Sequence, residues 1–149
     1  MRGRDKKPAS VETLLGELPQ DQRSLYGHLR ERLLSEDGIS ETLMWDGFVD
    51  EWVPCFRLPE GMLFHIHTGR QLSATMTLST QRACPRVEVD PGLSPTVKAH
   101  VRDSPDYDGT KWVDIPLGGP AEVEAFLPLV RLKGRLLVEQ RQGRRQRPS

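Results

Sequence analysis

The sequence predicts an α+β fold, an antiparallel β-meander packed in two layers against N- and C-terminal helices. Three observations predict it. Residues 53–58, 62–68 and 71–78 each alternate between apolar and polar side chains, and only short turn sequences separate them. Apolar residues at helical spacing precede this block at Leu25, Leu29 and Leu33 and follow it at Val123, Phe126, Leu127 and Val130. Period-two runs joined by tight turns form hairpins, because a parallel return needs a connection of a dozen or more residues.

Within the meander, Phe56 and Leu58 share one face, and Cys55 and Arg57 the other. Pro59-Glu60-Gly61 and Gly69-Arg70 carry the turn chemistry, proline fixing φ and glycine permitting positive φ. Met62, Phe64 and Ile66 are expected inward, with Leu63, His65 and His67 outward. Leu72, Ala74, Met76 and Leu78 follow inward, with Gln71, Ser73, Thr75 and Thr77 outward. A slip of one residue would bury the histidines and threonines, so the alternation sets the register. Residues 111–117 alternate in the same way and supply the last strand, with Val113, Ile115 and Leu117 inward and Trp112 and Asp114 outward.

Each flanking element has its own start and stop. Ser10 caps a short helix containing Val11, Leu14, Leu15 and Leu18. Leu18-Pro19 ends it, since the residue before proline avoids the helical region. Pro19 opens a second helix that runs to about Ser35 on a stripe of Leu25, Leu29 and Leu33, joined by Tyr26 and Leu34. Asp37-Gly38 stops it. Residues 41–52 fit two readings, a strand beginning at Thr42–Trp45 or a turn at Asp46-Gly47. Residues 79–92, broken by Pro85, Pro91 and Gly92, read as irregular, with Val87 and Val89 as a possible short strand. Ser94-Pro95 opens a helix over about 95–103 that carries Val97 and Val101. Asp106 to Gly109 is a turn. Gly118-Gly119-Pro120 leads into the final helix, where Pro128 predicts a kink or a break.

The chain of 149 residues suits one domain, expected over residues 9–140, between disordered basic tails at 1–8 and 141–149. Basic and acidic residues balance at 21 each, but Arg2, Arg4, Lys6, Lys7, Arg141, Arg144, Arg145 and Arg147 crowd the ends. Setting those eight cations and Asp5 aside leaves 13 basic and 20 acidic residues, an acidic body. Phosphate contacts need clustered Lys and Arg on the folded surface, so nucleic acid is expected only as a weak partner of the tails. No apolar run approaches the roughly 20 residues of a membrane span, and residues 1–30 lack an apolar leader, so a cytoplasmic protein without a membrane partner is expected. Cys55 and Cys84 are then reduced thiols, and Cys55 reads as a packing residue rather than a nucleophile.

The outward face gathers the candidate site: Arg57, His65, His67, Thr75, Trp112 and Asp114. A large aromatic beside a cation, two imidazoles and a carboxylate makes a platform for a small molecule or a protein. The leading expectation is therefore non-enzymatic binding through the polar face of the sheet. The alternative starts from His65 and His67. Residues two apart on a strand project from one face about 6.6–7 Å apart along the chain. Two neutral imidazoles so placed can share zinc or iron if a third ligand faces them, from Asp114, Cys55, Asp46 or Asp50. A His close to Asp114 would also suit acid–base chemistry. No cofactor follows from any motif, and no nucleophile elbow, phosphate loop or dinucleotide fingerprint occurs.

Leu93-Ser94-Pro95 with Val97, Tyr107-Asp108-Gly109 with Lys111-Trp112, Ile115-Pro116 and Leu132-Lys133 carry a resemblance. Over residues 52–137 the chain resembles a family of small bacterial proteins called domain of unknown function 3788. More distantly it is similar to frataxin-like and YjbR-like α+β folds. The resemblance implies the fold and brings no activity, cofactor or site residue with it.

Overall fold

The computed structural model describes residues 7–146. Six strands form one antiparallel sheet in the order β1-β2-β3-β4-β6-β5. They are β1 (Ser40–Asp46), β2 (Glu51–Leu58), β3 (Gly61–His67), β4 (Ser73–Ser79), β5 (Asp106–Tyr107) and β6 (Thr110–Pro116). The helices are α1 (Val11–Gly16), α2 (Gln20–Leu34), α3 (Cys84–Val89), α4 (Pro95–Asp103) and α5 (Pro120–Gln146). This is the α+β meander with N- and C-terminal helices that the alternation predicts.

The predicted caps form. Ser10 Oγ accepts from the Thr13 N–H at 3.1 Å, and Ser94 Oγ from the Val97 N–H at 3.2 Å. Asp108 and Gly109 both take positive φ, 55° and 89°, and join β5 to β6 through a two-residue reversal. Paired positive φ values match the twist of the flanking strands, which is why Asp-Gly serves there.

One face of the sheet is the core. Aromatic rings cross it in a row. Tyr26 of α2 lies 6.1 Å from Phe56, Phe56 stacks on Phe64 at 5.0 Å, and Phe64 meets Phe126 of α5 edge-on at 4.9 Å. Ile66, Ala74, Met76, Leu78, Val113 and Ile115 fill the same layer. The buried stripe of α2 is Gln22, Tyr26, Leu29 and Leu33, while Leu34 is exposed. Inside this layer the Tyr26 hydroxyl donates to Glu41 Oε2 at 2.6 Å, and Arg30 Nε donates to Glu41 Oε1 at 2.8 Å. A buried carboxylate is tolerable there because both of its oxygens are satisfied.

Several expectations need correction. Residues 41–52 hold both features the sequence offered: β1 pairs with β2 from Ser40↔Arg57 to Asp46↔Glu51, and the turn signal at Asp46-Gly47 marks the reversal between them. A β-bulge interrupts β2–β3 pairing between Phe56 and Arg57, with Phe56 opposite Phe64 but Arg57 opposite Met62. The extra residue is Leu63, so the alternation breaks. Leu63 joins Phe64 in the core, and Met62 turns to the other face. Residues 84–89 form α3 rather than irregular chain or strand. Pro85 suits its first turn, and Ser79 Oγ receives the N–H groups of Arg82 and Ala83 just ahead of it. Val87 is buried one turn from Ala83, and Val89 is exposed. α5 runs through Pro128 without a break. Proline in a helix costs about 3 kcal/mol, and burial of Phe126, Leu127, Leu129 and Val130 on both sides of it exceeds that. The same helix passes the expected boundary at 140 and carries Arg141, Arg144 and Arg145, while most of the expected N-terminal tail and Arg147 lie outside the described residues.

Candidate functional site

The second face of the sheet carries the site, and it is concave. In a flat sheet β1 and β6 would stand about 19 Å apart, four strand spacings. Yet Asp46 of β1 reaches His67 of β3, and Phe48 in the β1–β2 turn packs edge-on against Trp112 of β6 with ring centroids 5.9 Å apart. The β1–β2 turn therefore arches over the face. It encloses a cleft of about 820 Å³.

The walls of the cleft are mostly apolar. Met44, Phe48, Met62, Pro105, Tyr107 and Trp112 line it. Phe48 is 89% exposed and Tyr107 63%, so the rim offers large rings to solvent. The floor is polar and sunk into the sheet: Asp46, His65 and Thr75 are buried, and His67 is half-buried.

The floor is connected throughout. Asp46 Oδ2 lies 2.7 Å from His67 Nε2 and 3.3 Å from His65 Nε2. The two imidazoles stand edge to face, 4.8 Å between centroids. Asp46 Oδ1 accepts from the Phe48 N–H at 2.9 Å, which fixes the carboxylate and starts the turn. His67 Nδ1 meets Thr75 Oγ1 at 3.3 Å, and Thr75 Oγ1 donates to Asp114 Oδ1 at 3.3 Å. Strand pairing delivers these contacts: Thr75 sits opposite His65 on one side and opposite Asp114 on the other.

Charge follows from these contacts. Burial disfavours the Asp46 carboxylate, but the hydrogen bond from His67, the Phe48 N–H and the charges of both histidines outweigh it and hold its pKa below the ordinary value. Burial pushes the His65 imidazole below its ordinary pKa, and the neighbouring His67 adds to this. Asp46 and Asp114 oppose the shift without reversing it. Burial pushes the Cys55 thiol up, in keeping with a packing residue.

Of the six residues singled out in the sequence, His65, His67, Thr75 and Trp112 line the cleft. Asp114 touches its floor through Thr75. Arg57 does not take part; it is exposed near the far end of β2, close to Cys55. Among the four carboxylates and thiols considered as a third partner for the histidines, Asp46 is the one that joins them. Sequence reasoning missed Met44, Phe48, Met62 and Tyr107. Met62 was hidden by the bulge. Phe48 could have been found, because a phenylalanine directly after Asp-Gly in a turn has no core to enter. No helix among the described residues is long and apolar enough to cross a membrane. No family model, curated protein or solved structure matches the chain, and the functional reading rests on this geometry.

Proposed function

We propose that the protein binds a small, flat, largely apolar molecule in the concave cleft, with one polar end of that molecule against the Asp46–His65–His67–Thr75 floor. One observation carries this reading: rings and thioethers surround a buried, hydrogen-bonded polar floor. Ligand sites combine apolar walls with a few convergent polar groups in this way. Phe48 is 89% exposed, which forgoes burial worth roughly 1.5–3 kcal/mol, and an occupant would recover it together with part of Tyr107.

The test is a thermal-shift screen of flat heteroaromatic compounds that carry one polar substituent, followed by calorimetry on the best binder. Trp112→Ala and Phe48→Ala should each weaken binding about tenfold, in line with the loss of a large apolar contact. Arg57→Ala should leave it unchanged. Equal binding by the wild type and Trp112→Ala would remove the cleft as the site.

A further inference from the structure

We propose that Asp46, His65 and His67 hold a divalent transition-metal ion of the zinc or iron(II) class at the floor of the cleft. The three donor atoms lie within 4.8 Å of one another, and Asp46 Oδ2 is already 2.7 Å and 3.3 Å from the two Nε2 atoms. Metal–ligand bonds near 2.1 Å place neighbouring donors about 3.0–3.5 Å apart. The protein therefore brings them close to coordination distance before any ion arrives.

The contacts around the three groups point the same way, since both Nε2 atoms face one carboxylate oxygen. A threonine hydroxyl has one proton, and the Thr75 proton goes to Asp114 Oδ1, an oxygen that only accepts. Thr75 Oγ1 also lies 3.3 Å from His67 Nδ1, where it orients the ring. His65 Nε2 aims at the same Asp46 oxygen as His67 Nε2, so three metal-ligating groups converge on one point of the floor.

The surroundings suit ligands rather than a bare ion pair. His67 is oriented through Nδ1 by Thr75, which Asp114 fixes in turn, and the free oxygen of Asp46 is held by the Phe48 N–H. Such outer contacts orient metal ligands and set the histidine tautomer. Two histidines and one carboxylate make up a donor set used by zinc and by non-haem iron(II), with positions left open. Here the open side faces the apolar cleft. The inference rests on the small-molecule reading only for what would fill those positions: the polar end of the occupant would be a lone-pair donor such as a carboxylate.

The test uses untagged full-length protein, stripped with a chelator and titrated with cobalt(II) by visible absorption. Zinc(II) is then titrated against a chromophoric chelator, with no organic ligand present. The expected result is one equivalent of metal. Asp46→Asn and His67→Ala should each weaken binding about a hundredfold. Thr75→Val should weaken it about tenfold through loss of orientation. Cys55→Ala should leave it unchanged. Asp46→Asn preserves shape, and circular dichroism checks its fold. Should His67→Ala fail to fold, histidine NMR shifts in the cobalt-loaded wild type identify the two rings. Absence of a cobalt band, or binding by Asp46→Asn equal to wild type, overturns the proposal. Because the cleft compounds are assayed separately, loss of the metal result leaves the small-molecule reading standing, and the reverse also holds.

Discussion

Lys133 is a cation set largely inside the protein. Its Nζ donates to the carbonyl of Thr77, which lies past the end of the β3–β4 ladder at Thr75. Burial pushes its pKa below the ordinary lysine value, and the cavity of about 80 Å³ beside it is lined by Leu78, Leu136 and Leu137 together with Ser79, Arg82 and Gln140. A lysine whose folded-state pKa is depressed binds its proton more tightly in the unfolded chain. Stability should therefore rise with pH between the depressed value and about 10.5, and carry a constant penalty below that window. Urea melts from about pH 8 to 10.5 on the wild type and Lys133→Met measure this, with the slope lost in the variant. Identical slopes would mean that the ammonium is solvated. Tyr26 behaves differently: burial and then Glu41 push its phenol far up, so it stays a donor to Glu41 across the working range.

At the scale of elements the bulge between β2 and β3 matters most. It places Leu63 against α5, where a Cβ added at Gly134 would sit 3.7 Å from Leu63 Cδ2 and 3.3 Å from Leu58 Cδ1. It sends Met62 to the cleft. Leu63→Ala should cost about 2–4 kcal/mol in chemical denaturation, and Met62→Ala well under half of that. Strict alternation predicts the opposite order, so this pair separates the two registers. The bulge also shows where the sequence stops being legible. Turns, caps and the inward faces of β2, β4 and β6 follow from local chemistry. An inserted residue in β3 depends on how α5 packs against it, and no neighbour in sequence records that. α3 escaped for a related reason: its six residues are held by Val87 in the core and by Ser79 ahead of it, not by any helical period of their own.

On the scale of the whole molecule, the two faces of one sheet divide the work. Helices cover the first and build the core. The second closes over itself through the β1–β2 turn and forms the cleft. Phe126→Ala should lower stability by about 3–5 kcal/mol, since Phe126 ends the aromatic row, yet leave metal and ligand affinity of the folded protein unchanged. Trp112→Ala should do the reverse, with little change in denaturation midpoint. A Trp112→Ala protein as destabilised as Phe126→Ala would show that the second face is also core. The sequence placed His65, His67, Thr75 and Trp112 on that face because strand period alone decides it. It did not show the curvature that carries Asp46 to the histidines, which arises only when six strands twist together.

Phase is what the bulge contributes. On the floor side of it, the letters of β3 keep the beat that puts His65 and His67 upward; beyond it the beat is displaced by one. Deleting the extra residue, Leu63, would restore strict alternation and leave Met62 on the cleft side opposite Arg57, so the insertion feeds the core while the cleft keeps its lining.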